Sequence, residues 1–128
     1  MLFKLPPHPL TLEQAIALQE GWYSLKRNTR CQRNNNPGNL EYGSFAIRNG
    51  ATGRDERFAI FPTPEKGFAA LHNLLLTPHY VNLTIAQAIH QFAPSTENDT
   101  ETYINHVCEW TGYTRDHVLN SFLNLERA

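Results

Sequence analysis

The segment Arg33-Asn34-Asn35-Asn36-Pro37-Gly38-Asn39-Leu40 gathers four carboxamides into one short stretch. Asn, Pro and Gly make tight turns, and a plain surface turn is one reading. The hydrogen-bonding capacity exceeds what a turn needs, however. Each carboxamide carries donors and an acceptor together, which suits the hydroxyl and acetamido groups of a sugar, so a ligand-contacting loop is expected. Upstream, Glu20 lies four residues beyond Ile16, at the edge of an apolar helical stripe, and Gly21 after it would allow close approach of backbone or ligand. A carboxyl at such an edge loses hydration, which raises its pKa and suits it to general acid work at neutral pH. From the helix alone, an ordinary solvated glutamate near a helix end is the simpler reading.

The elements that must position these residues are well punctuated. Thr11 and Gln14 form a capping box with Leu10 as a staple residue, and Leu12, Ala15, Ile16, Trp22 and Tyr23 share one helical face. Phe45, Ile47, Phe58 and Ile60 alternate around the turn chemistry of Asn49-Gly50-Ala51-Thr52-Gly53. This predicts a small antiparallel hairpin carrying Asp55 and Glu56. Pro64 opens a helix with Phe68, Leu71, Leu74 and Leu75 on its apolar face, and Pro78 closes it. Thr84 with Gln87 caps another, which Pro94 ends. Asp99 caps a third that presents Tyr103, Val107 and Trp110 and stops at Gly112. A last helix capped by Thr114 would present Val118, Leu119, Phe122 and Leu125. The expected fold is α+β and mainly helical, about five helices with a small β-hairpin, in a single domain over residues 1–128.

Composition narrows the function. With 41% hydrophobic and 18% charged residues the 128-residue chain is globular, and a formal net charge of −1 gives no global pull toward nucleic acid or membrane. Lys26, Arg27, Arg30 and Arg33 form a local basic cluster. It reads either as a solvated loop or as an attractor of an anionic polymer such as carboxylate-bearing wall peptides. The six histidines show no metal-ligand spacing, so neither a metal nor a cofactor is expected. Cys31 and Cys108 have no spacing that supports a bridge, and a buried free thiol is expected at Cys108. Met1 to Pro9 does not read as a secretory leader, and no stretch is long and apolar enough for membrane insertion.

The order of parts resembles the lysozyme-like superfamily, and more closely the small phage and bacterial muralytic proteins related to soluble lytic transglycosylases. The matching pieces are Ala15 to Gly21, Asn34 to Leu40, Phe58 to Gly67, and Phe92 to Thr100 with Tyr103-Ile104, so the resemblance spans roughly residues 11–112. It implies a lysozyme-like domain in which Glu20, closing the first core helix, is the catalytic acid. It places Asn35, Asn36 and Asn39 in the sugar-binding turn, Ser95 and Asn98 in a loop lining the groove, and Tyr103 beside the catalytic carboxyl. The chain departs from lytic transglycosylases at Gly21, where they carry serine, and at Pro37-Gly38-Asn39-Leu40, where they carry Gly-Leu-Met-Gln.

The implied substrate is peptidoglycan, cut between N-acetylmuramic acid and N-acetylglucosamine. A monomer made in the cytoplasm would then act at the bacterial cell wall or periplasm after release or delivery. Lysozymes and endolysins use a second carboxylate, for which Asp55 and Glu56 are the hairpin candidates. Lytic transglycosylases instead close an anhydro ring with the muramoyl 6-hydroxyl, which is the outcome favoured here. Two other classes remain open at this stage. One is a non-catalytic wall-binding or virion-structural module on the same fold. The other is a nucleic-acid binder, for which four cations in a near-neutral chain are a thin footprint.

Overall fold

The computed structural model describes residues 3–123. Six helices run in order: α1 (Leu12–Glu20), α2 (Arg30–Arg33), α3 (Ser44–Arg48), α4 (Pro64–Leu75), α5 (Ile85–Phe92) and α6 (Thr100–Thr111). Between α3 and α4 lies a two-stranded antiparallel hairpin, β1 (Gly53–Asp55) and β2 (Phe58–Ile60), and a 3-10 turn covers Leu119–Ser121. The expected mainly helical architecture with a small hairpin is the one observed.

Local chemistry explains where the helices begin. The motif Thr-x-x-Gln occurs before α1, α2 and α5, and each time closes a reciprocal capping box. Asp99 caps α6 through Thr102, and Thr63 caps α4 ahead of Pro64. Gly21 and Gly112 end α1 and α6 in the left-handed conformation. At Gly21 this backbone requirement, with Thr29 packed against it, accounts for the glycine.

The core joins α1, α4, α5 and α6 through residues such as Leu12, Ile16, Leu71, Ile85, Ile89, Ile104 and Val107. Glu13 of α1 meets His72 of α4 between the two helices. A smaller cluster holds Ala17, Trp22 and Cys31, with Phe3 and Phe68 edge-on to the Trp22 ring. Trp22 and Tyr23 therefore do not extend the face of α1, because the helix stops at Glu20 and the chain turns.

Several local expectations are corrected. Phe45 and Ile47 lie in α3, not in a strand; Ala46 is the buried residue there and Ile47 is exposed. Over so few residues an alternating pattern does not separate a strand from one helical turn. The hairpin turns at Glu56-Arg57, with Asp55 opposite Phe58, and not at Asn49 to Gly53. The stretch after Thr114 is not a helix up to Ser121 beyond one 3-10 turn. Its backbone bonds to the segment before α5: Ile85 and Ala86 donate to the carbonyls of His117 and Arg115, and Leu119 and Asn120 donate to those of Leu83 and Val81. The first amides of α5 gain partners, and those pairings replace a helical ladder. Leu125 lies outside the described residues. Both cysteines are free, and the fully buried one is Cys31, with Cys108 partly exposed.

A close backbone approach joins α4 to the asparagine segment. A Cβ on Gly67 would stand 1.9 Å from the Asn35 carbonyl oxygen and 2.7 Å from the Pro37 ring. Gly67→Ala must push the loop off α4, at a cost of about 1–3 kcal/mol as for other overpacked sites. Equilibrium unfolding in denaturant checks this, and an unchanged stability would contradict the close approach.

Candidate active site

Glu20 is the last residue of α1, and the chain after it is folded back to secure that end. Thr29 Oγ1 donates to the Gly21 carbonyl at 3.0 Å, and the Cys31 thiol reaches the Glu20 carbonyl at 3.5 Å. Gln32 Nε2 donates to the carbonyls of Trp22 and Ser24 at 2.8 and 3.0 Å. The short helix α2, within the run read as a basic cluster, thus serves as a buttress for the C-terminal end of α1.

The asparagines then divide their work. Asn34 Nδ2 donates to Asp55 at 3.2 Å and its carbonyl accepts from Phe61. Asn35 Nδ2 donates to the Phe61 carbonyl at 3.1 Å. Asn36 is fully buried; its amide donates to the carbonyls of Leu40 and Ala59 and its oxygen accepts from the Leu40 amide, all at 2.9 Å. Asn35 and Asn36 therefore brace backbone and do not line the groove described below, which corrects the expectation that they meet a sugar. Polar capacity in excess of a turn is used here to satisfy buried backbone.

Asn39 alone of the four turns to Glu20. The tight turn Asn36 to Asn39 closes with a 2.9 Å backbone bond, and Gly38 packs on Leu71 of α4. Asn39 follows with φ 49°, a left-handed conformation that asparagine tolerates better than most residues. Its Nδ2 donates to Glu20 Oε1 at 2.8 Å. From α6, the buried Tyr103 donates its hydroxyl to Glu20 Oε2 at 2.8 Å. Asn39 Oδ1 is buried with no hydrogen-bond partner among the described residues.

Burial pushes the Glu20 carboxyl above its ordinary value of 4.5, against the opposing effect of the hydrogen bonds from Asn39 and Tyr103. Burial, and then the adjacent Glu20 carboxylate, raise the Tyr103 phenol well above its usual range, so it remains a donor. The arrangement is a desolvated acid held in one orientation by two fixed donors.

Glu20 and Asn39 open onto a groove of about 410 Å³. One wall is built by Leu40, Glu41, Arg57 and Phe58, the other by residues Gln91 to Pro94 with Glu97 and Asn98. Asn98 lines this groove, with its Nδ2 on the Pro94 carbonyl. Ser95 is exposed and does not line the groove. Asp55 and Glu56 also lie off it, beside Arg33 and Arg30 at 3.9 and 3.8 Å. The groove carboxylates that sequence reasoning missed are Glu41 and Glu97, both paired with Arg57. No spacing signal marks them, since their meeting depends on the tertiary fold. Among the described residues no cluster of His, Cys, Asp and Glu could hold a metal ion, and no helix is long and apolar enough to cross a membrane.

The chain is 39% identical over 120 residues to Protein P5 of Pseudoalteromonas phage PM2, an alignment covering 85% of this chain and 73% of that protein. It belongs to the family of phage PM2 Protein P5. No family model matches the chain, and no solved structure does either. The aligned share is large enough to include most of the elements that build the groove.

The division of labour among the asparagines has a measurable consequence. Asn36→Ala should lower stability by about 2–3 kcal/mol, because it strands buried backbone groups of Leu40 and Ala59. Asn39→Ala should cost clearly less, since Asn39 bonds to a side chain at the groove. Denaturant unfolding of both variants compares them, and equal losses would contradict the assignment.

Proposed function

We propose that this chain is a peptidoglycan-cleaving enzyme of the lytic-transglycosylase type, with Glu20 as its general acid and then base. The observation that carries the reading is the half-buried carboxyl at the end of α1, facing a groove and held at 2.8 Å by both Asn39 and Tyr103. The groove is lined mainly by polar groups drawn from two separate stretches of chain, which suits a glycan better than a small apolar ligand. Kinship with a phage protein is consistent with a bacterial-wall target.

In the proposed reaction the protonated Glu20 donates to the glycosidic oxygen as the bond to the muramoyl C1 breaks. The 6-hydroxyl of the same sugar attacks C1, and the Glu20 carboxylate takes the hydroxyl proton. The product is a 1,6-anhydro sugar, and no water is consumed. Asn39 can serve both protonation states. Its Nδ2 donates to the carboxylate, and after a half-turn of the amide its Oδ1 accepts from the carboxylic acid. The Tyr103 hydroxyl can likewise donate or accept.

Intramolecular capture is favoured over hydrolysis because the groove offers no carboxylate free of a cation besides Glu20 among the described residues. Asp55 and Glu56 lie off the groove, and Glu41 and Glu97 share Arg57. A purely wall-binding module would have no use for a desolvated carboxyl with two fixed donors.

Glu20→Gln should reduce release of soluble fragments from purified sacculi by ~10²–10⁴-fold while the chain stays folded. Mass analysis of wild-type products should show anhydromuramoyl ends. Reducing ends, heavier by one water, would establish hydrolysis instead, and full activity in the variant would remove Glu20 from the chemistry.

A further inference from the structure

Arg57 holds a carboxylate from each wall of the groove. Across the groove, Arg57 meets Glu97 of the α5–α6 loop at 2.6 Å. On its own wall it stands 3.6 Å from Glu41, which pairs with β2 at Phe58. The guanidinium is seated 5.0 Å from the Phe58 ring centroid, and the Arg57 carbonyl accepts from Tyr42. Glu97 is presented by a turn in which its amide donates to the Pro94 carbonyl, directly before the Asp99 cap of α6. Arg57 and Glu97 are each about half exposed, at 56% and 51%, whereas Glu20 lies deeper. The ion pair therefore spans the groove on its solvent side, joining residues 40 apart in sequence.

We infer that the Arg57–Glu97 ion pair is a clasp over the groove that determines which form of the glycan enters. The inference rests on the wall-glycan reading above. With the clasp closed, the groove admits chain ends and short pieces that thread beneath it. The interior of a continuous strand has no end to thread and enters only when the clasp opens. Opening leaves Arg57 with Glu41 on its own wall, so the cation keeps a partner in both states. An exposed ion pair contributes little and is screened by salt, so the clasp is light enough for a substrate or for ionic strength to release.

The test measures binding in the Glu20→Gln chain, where turnover does not interfere. The ligands are intact sacculi and short uncross-linked muropeptide oligosaccharides. Adding Glu97→Gln should raise the ratio of sacculus to oligosaccharide affinity by about two- to fivefold, the tax expected of a weak closed state. Raising salt from ~0.05 to ~0.5 M should raise that ratio in the parent chain and leave it flat in the Glu97→Gln version. Glu109→Gln, which removes the same charge on exposed α6 surface outside the groove, controls for simple charge attraction. An unmoved ratio with binding intact, or a shift that Glu109→Gln reproduces, would overturn the clasp alone. Absence of binding to either ligand in every version would overturn the wall-glycan reading itself, and the clasp with it.

Discussion

One buried carboxamide holds the two halves of the site together. Asn36 bonds at once to Leu40, four residues ahead, and to Ala59 of β2. It sets the turn that carries Asn39 and attaches that turn to the hairpin. The same turn lies on α4, where Gly67 admits the Asn35 carbonyl and Leu71 meets Gly38. Asn39 is thus fixed from two sides before it reaches Glu20. A hydrogen bond made by a side chain so constrained needs no further ordering, which is how a site gains precision from its support.

The second constraint is desolvation. Glu20 ends a helix whose other face is core, and α6 brings Tyr103 over it. Burial favours the neutral acid and the two donors favour the carboxylate; burial is the larger effect. The folded chain therefore holds this proton more tightly than the unfolded chain does. The stability contributed by protonated Glu20 is full below pH 4.5 and is lost as pH rises through the higher folded value. A residue kept at such a cost at neutral pH fits a catalytic use better than a structural one.

Helix starts were legible because they depend on neighbours in sequence. The capping boxes at Thr11 and Thr84 are legible directly, and the same Thr-x-x-Gln stands at Thr29 within a run of cations. The asparagine run stands out in the sequence, but its members look alike there. Nothing local distinguishes Asn36, whose partners include Ala59, from Asn39, whose partner is Glu20. Residues 45 to 53 and 114 to 123 differ from expectation, because short apolar patterns fit two periods or because the backbone partners lie far away in sequence. Tyr103 came from the family resemblance, not from its spacing. Arg57 and Glu41 carried no signal, and Glu97 only its place in the Phe92 to Thr100 piece of the resemblance; all three are ordinary surface charges until the hairpin and the α5–α6 loop face each other.

The central claim is that burial keeps Glu20 protonated beyond the range of an ordinary glutamate. Carbon-13 NMR titration of the glutamate carboxyls, with Glu20→Gln to assign the resonance, measures this directly. The account predicts a midpoint above 4.5 for Glu20, and a further rise in Tyr103→Phe, which removes a hydrogen bond that favours the ionised form. A Glu20 midpoint at or below 4.5 would contradict it.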